Sequence, residues 1–101
     1  MITLTTKQRA ALRSMAMTLS PIFQIGKGGI SEEMVRQIDA ALEARELIKL
    51  HVLNNSDYDA RSAAEVLSVA TDAVVVQVVG AKLTLFRPSE KKPTIDWKHP
   101  S

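Results

Sequence analysis

At 101 residues the chain has room for one hydrophobic core and no second. Its 46% hydrophobic and 24% charged residues are ordinary globular usage, which excludes a disordered polyelectrolyte, and a net charge of +2 is too small to diagnose a polyanionic partner by itself. The absence of cysteine removes disulfides, thiolate nucleophiles and cysteine metal sites, and no apolar run approaches the roughly 20 residues of a membrane helix, so a cytoplasmic chain with no membrane partner is expected.

Thr5 and Gln8 have capping-box spacing, which predicts a first helix starting after Thr5 and running to about Leu19. Its apolar stripe is Ala11, Leu12, Met15, Ala16 and Leu19. Ser20-Pro21 breaks this helix, because proline lacks an N–H and turns the preceding residue away from αR. Ile22 to Ile25 restarts the chain as a short strand. Gly26-Lys27-Gly28-Gly29 follows, a loop that can take positive φ and lie close to another molecule. Ser31 is placed to cap the second helix, with Glu32 and Glu33 in its positive first turn and Ile30 stapling onto Val35. Met34 or Val35, Ile38, Ala41 and Leu42 form its buried face.

Glu46 to Leu53 alternates as a strand, with Ile48, Leu50 and Val52 on a dry face and Leu47, Lys49, His51 and Leu53 on a wetter one. Gln24 and Gln77 share that wetter face if the strands align, and His51 is expected to lie where the first helix covers it. Asn54 to Asp57 is a turn, after which Ala60, Ala63, Ala64, Leu67 and Ala70 give a third helix a narrow stripe of small residues. Asp57 and Asp59, at its start, have the placement of caps rather than of a catalytic pair. Val74 to Val79 is the most β-prone stretch, and Gly80-Ala81 suits a type II′ hairpin into Lys82 to Arg87. The order α-β-α-β-α-β-β gives a compact two-layer-type α/β domain over residues 1–88, with three helices and a four-stranded mixed sheet. Residues 89–101 have the composition of a disorder-permitting tail in which Ile95 and Trp97 can dock.

The chemistry concentrates in the glycine loop. A strand that ends in Gly26-Lys27-Gly28-Gly29 and opens a helix presents free N–H groups and the positive helix end to an anion, with Lys27 as a mobile cation. The same spacing also fits a tight turn with an exposed lysine. The phosphate-loop motif fails, since Lys27 precedes Gly28 and the glycines are too close. Residues 1–31 carry Lys7, Arg9, Arg13 and Lys27 without an acid, and Arg9 and Arg13, one helical turn apart, can form a basic ridge. With only His51 and His99 as histidines, neither a metal nor a cofactor is expected. No nucleophile has an adjacent base, so no enzyme reading has residues to rest on.

Several segments in order resemble the CRM domain family, in its single-domain bacterial YhbY type. They are Leu4-Thr5 with Gln8-Arg9 and Leu12-Arg13, Pro21 through Ile25-Gly26-Lys27-Gly28-Gly29-Ile30, Glu46-Leu47-Ile48-Lys49, Val76-Gln77-Val78-Val79-Gly80 and Leu85-Phe86-Arg87-Pro88. The resemblance implies RNA binding through the G-x-x-G loop and adjoining basic surface, by a monomer associated with large ribosomal subunit precursors. It singles out Gly26, Lys27, Gly28 and Gly29, with Arg13, Lys49, Arg87 and Arg9 as further RNA-binding candidates. Asp72 and Phe86 depart from the glycine and tyrosine common in relatives. Asp72 can still take the αL conformation of a helix end, whereas Phe86 loses a hydroxyl. The competing reading is a protein-interaction adaptor using the wetter sheet face or the tail.

Overall fold

A computed structural model describes residues 1–100. The elements are α1 (Thr6–Ala16), β1 (Phe23–Ile25), α2 (Glu32–Arg45), β2 (Leu47–Val52), α3 (Ala60–Thr71), β3 (Val74–Val79) and β4 (Lys82–Phe86), in the predicted order. The strands form one mixed sheet in the order β1-β2-β4-β3, with β1 parallel to β2 and β4 antiparallel to both its neighbours. The β3–β4 hairpin turns at Gly80, whose φ of +56° is not followed by a positive φ at Ala81, as a type II′ turn requires. β4 returns between β2 and β3, so the hairpin's second strand is central and its first is an edge.

Strand alternation divides the apolar residues between the two sheet faces, so the single domain holds two core clusters where its length predicts one. Ile25, Ile48, Leu50, Val52, Leu83 and Leu85 meet Ile38 and Leu42 of α2 and Ala63, Ala64 and Leu67 of α3. The alanines let α3 approach the sheet closely. On the reverse face Leu12 and Ala16 of α1 pack with Leu47, Val74, Val76 and Phe86. α1 therefore flanks one end of that face. It stops at Ala16 rather than Leu19, and Met15 and Leu19 are 44% and 38% exposed. The reason is local: the Leu19 N–H donates to Ala16 O at 3.0 Å and the Thr18 hydroxyl to Met15 O, tightening the last turn ahead of Pro21.

The caps are largely as expected. Thr5 and Gln8 exchange both capping-box hydrogen bonds, the Ser31 hydroxyl accepts from the Met34 N–H, and Asp59 pairs reciprocally with Ser62. Asp57 does not cap and stays exposed in the loop. Asp72 ends α3 in the αL region, at φ 57° and ψ 34°.

Residues 89–100 have no helix or strand, yet they are held down. Glu46, fully buried at the C-cap of α2 with φ 68°, accepts hydrogen bonds from the Ser89, Thr94 and Ile95 N–H groups and the Thr94 hydroxyl, all within 2.8–2.9 Å. Burial pushes its carboxyl up, but these donors outweigh burial and hold it below the usual range. One turn earlier Glu43 accepts from the Ser89 hydroxyl and the Glu90 and Lys91 N–H groups, which lower its pKa to about 2. Ile95 and Trp97 then join the reverse-face core, with Trp97 edge-on to Phe86 at 6.2 Å.

Candidate nucleic-acid interface

The glycine loop leaves the sheet where the Leu53 N–H donates to Ile25 O at 2.8 Å, and it closes on itself through Gly29 N–H to Gly26 O at 3.0 Å. Its three glycines have different reasons to be there. A Cβ on Gly26 would lie 3.4 Å from Asn55 Oδ1 and from Leu53 Cδ1, so this residue packs closely on the β2–α3 loop. Gly29 has φ +70°, where a side chain is strained. Gly28 has no positive φ, and a Cβ there would meet nothing within 4 Å. Nothing inside the fold requires glycine at 28. Its missing side chain matters only to something that approaches from outside.

Lys27 and Gly28 are exposed, and their N–H groups meet no acceptor among the described residues. Lys27 also makes no ion pair among them. The first turn of α2 begins just beyond, adding its positive end. Of the two acids there, Glu33 is turned onto Arg36, with 2.7 Å between Oε2 and Nη2, which reduces the repulsion an incoming anion meets.

The other basic candidates divide. Arg13 is exposed on the last turn of α1, and Lys49 is half-buried on the reverse face of β2. Arg9 is occupied by the fold: its guanidinium donates to Val75 O and to Val76 O, where the β3 register shifts. Arg87 is also occupied. It pairs with the Asp39 carboxylate, donates to the Thr71 and Asp39 carbonyls, and is only 17% exposed. It follows the β4 end that pairs with Leu47, opposite the end where the glycine loop emerges.

Register brings other residues to the loop. Gln24, His51, Lys82 and Val79 form one row across all four strands, and Lys49, Thr84 and Gln77 form the next. α1 packs at the Leu47 and Phe86 end, so His51 lies in the half left open rather than beneath the helix. Lys82 escaped the sequence reading. Alternation places it on the face of Thr84, but only the strand order shows that it stands beside His51.

Charge is segregated by face. α1 and the four strands carry Lys7, Arg9, Arg13, Lys49 and Lys82 and no acid, while α2 and α3, which cover the other face, carry Glu32, Glu33, Asp39, Glu43 and Glu65 against Arg36, Arg45 and Arg61. The net +2 conceals this polarity.

Fold and site together define a compact α/β module with one basic face and an exposed glycine loop at its rim. The chain belongs to the CRS1 / YhbY (CRM) domain family, whose pattern matches residues 4–87. It is 45% identical over 93 residues to the "Probable RNA-binding protein YqeI" of Bacillus subtilis, covering 92% of this chain and 97% of that protein. It is 35% identical over 91 residues to a protein of Haemophilus influenzae named "RNA-binding protein", covering 90% of this chain and 92% of the other. The fold resembles the solution structure of SAV1595 from Staphylococcus aureus with a TM-score of 0.73 at 53% identity, covering 88% of this chain and 93% of that one.

Proposed function

We propose that this chain is a non-enzymatic RNA-binding protein that holds a sugar-phosphate backbone on the Gly26–Gly29 loop and acts in the cytoplasm, as a monomer, on precursors of the large ribosomal subunit. The observation that carries the RNA reading is Gly28. It is a glycine the fold does not need, with a free amide, beside an exposed and unpaired lysine, at the rim of a face whose helix and strands carry no carboxylate. RNA binding is also what the names of its relatives state of those proteins. The ribosomal target is supported by the family resemblance alone. An adaptor working through the tail has less to stand on, because Trp97 is engaged with Phe86.

The test uses Lys27→Asp combined with Gly28→Asp. Open space at position 28 lets the fold accept the change, which circular dichroism and thermal melting will verify. Binding to large-subunit ribosomal RNA fragments should weaken about tenfold or more, since two phosphate-facing groups become anionic. A folded double variant that binds like the parent refutes the loop assignment. Parent binding no tighter to those fragments than to unrelated RNA of equal length refutes the ribosomal target and leaves the loop standing.

A further inference from the structure

The half of the reverse face that α1 leaves open holds a groove of about 280 Å³ lined by Met17, Lys49, Gln77, Val79, Lys82 and Thr84. Ligand sites commonly span roughly 300–1,000 Å³, so this one has room for a single small planar group. Two of the chain's most exposed large apolar residues, Met17 at 79% and Val79 at 60%, border it together. Both lysines are without ion pairs among the described residues. No carboxylate comes from α1, from residues 17–22 or from any strand around the groove. The site thus offers aliphatic and thioether surface for a flat ring, an amide and a hydroxyl for its polar edge, and cations for negative charge beside it. One of its rows leads to the loop, because Gln24, in line with His51, Lys82 and Val79, lies two residues before Gly26.

We infer that this groove seats one unpaired nucleobase of an RNA strand, held between Met17 and Val79 with its edge towards Gln77 and its phosphates on Lys49 and Lys82. The inference rests on the RNA-binding reading and sharpens it. A closed duplex keeps its bases stacked and paired, so only a single strand, bulge or loop can supply the guest. Without an aromatic residue lining the groove, the base is held by apolar contact and hydrogen bonds rather than by ring stacking.

The experiment follows the methionine methyl signals of the full chain by NMR during titration with three probes of equal length: single-stranded RNA, an abasic phosphodiester and oligoglutamate. The Met17 signal should move with RNA alone, while Met15 and Met34 serve as references. Met17→Ser combined with Val79→Ser removes apolar contact without altering charge. It should weaken RNA binding about tenfold and leave abasic binding within about twofold. A Met17 signal that stays still with RNA, or moves equally with the abasic or acidic probe, overturns the base seat. RNA affinity unchanged in the double serine variant does so too. If Lys27→Asp with Gly28→Asp still loses RNA in those cases, the loop reading stands and only the groove falls. Parent protein that binds RNA no better than oligoglutamate brings down both.

Discussion

Gly28 and Gly29 are adjacent and chemically identical, yet they answer to different demands. Gly29 →Ala forces a side chain into the left-handed region and should cost about 1–2 kcal/mol in urea unfolding. Gly28→Ala meets open space and should be neutral or slightly stabilising, by up to about 1 kcal/mol, through the unfolded chain. Equal losses at the two positions would contradict these roles. The sequence shows three glycines but cannot distinguish them, because the difference lies in φ and in what an added Cβ would meet at each. Glu46 was less legible still. It reads locally as the first residue of a strand, and its burial is set by Ser89 to Ile95, far along the chain. With Glu43 it fixes a pH response. Both carboxyls have folded pKa values below their unfolded ones, so their stabilisation is complete above the ordinary value of 4.5. It is lost as pH falls towards about 2, the value for Glu43. Urea midpoints should therefore drop between pH 5 and pH 3, with Trp97 emission shifting red as the tail leaves Phe86. Glu43→Gln should show a smaller drop, from a lower starting stability. An unchanged parent midpoint over that range would show that the tail is not held by these carboxylates.

At the level of elements, what could be read in the sequence was what is encoded locally. The Thr5–Gln8 box, the Ser31 cap, the αL end at Asp72 and the Gly80 turn each depend on residues within a few positions, and each is present. Strand order is not local. The hairpin signal makes β3 and β4 neighbours, but nothing in their alternation says which of them pairs with β2. Lys82 was missed for that reason. Likewise, the basic character of Arg9 suggested a ligand contact, whereas the irregular stretch of β3 leaves carbonyls that need a donor, and Arg9 reaches them from α1. Arg9→Ala should accordingly cost about 1.5–3 kcal/mol in stability, the range for hydrogen bonds to a charged group, and loosen α1 from the sheet. Arg13→Ala, exposed on the next turn, should leave stability within about 0.5 kcal/mol. Chemical denaturation of the pair separates the roles, and comparable destabilisation in both would mean that the carbonyl contacts contribute little.

For the whole molecule the governing quantity is the separation of charge between faces, not the total. A protein with +2 overall can bind a polyanion firmly only if it presents its cations together and turns its acids away. Here α2 and α3 carry Glu32, Glu33, Asp39, Glu43 and Glu65 on one side, while Arg13, Lys49 and Lys82 share the other with Lys27 at the rim. If about three phosphates are neutralised on that side, the logarithm of the RNA affinity should fall with the logarithm of salt at a slope of about −2 to −3. Lys82→Ala should reduce that slope by roughly 0.7–0.9, the share of one phosphate contact. Arg61→Ala makes the same change of charge on α3, which packs on the opposite face of the sheet from Lys82, and should leave the slope unaltered. Affinities measured at several salt concentrations for both variants decide the matter. Equal reductions would mean that the RNA senses only the net charge, and the one-sided interface would have to be abandoned.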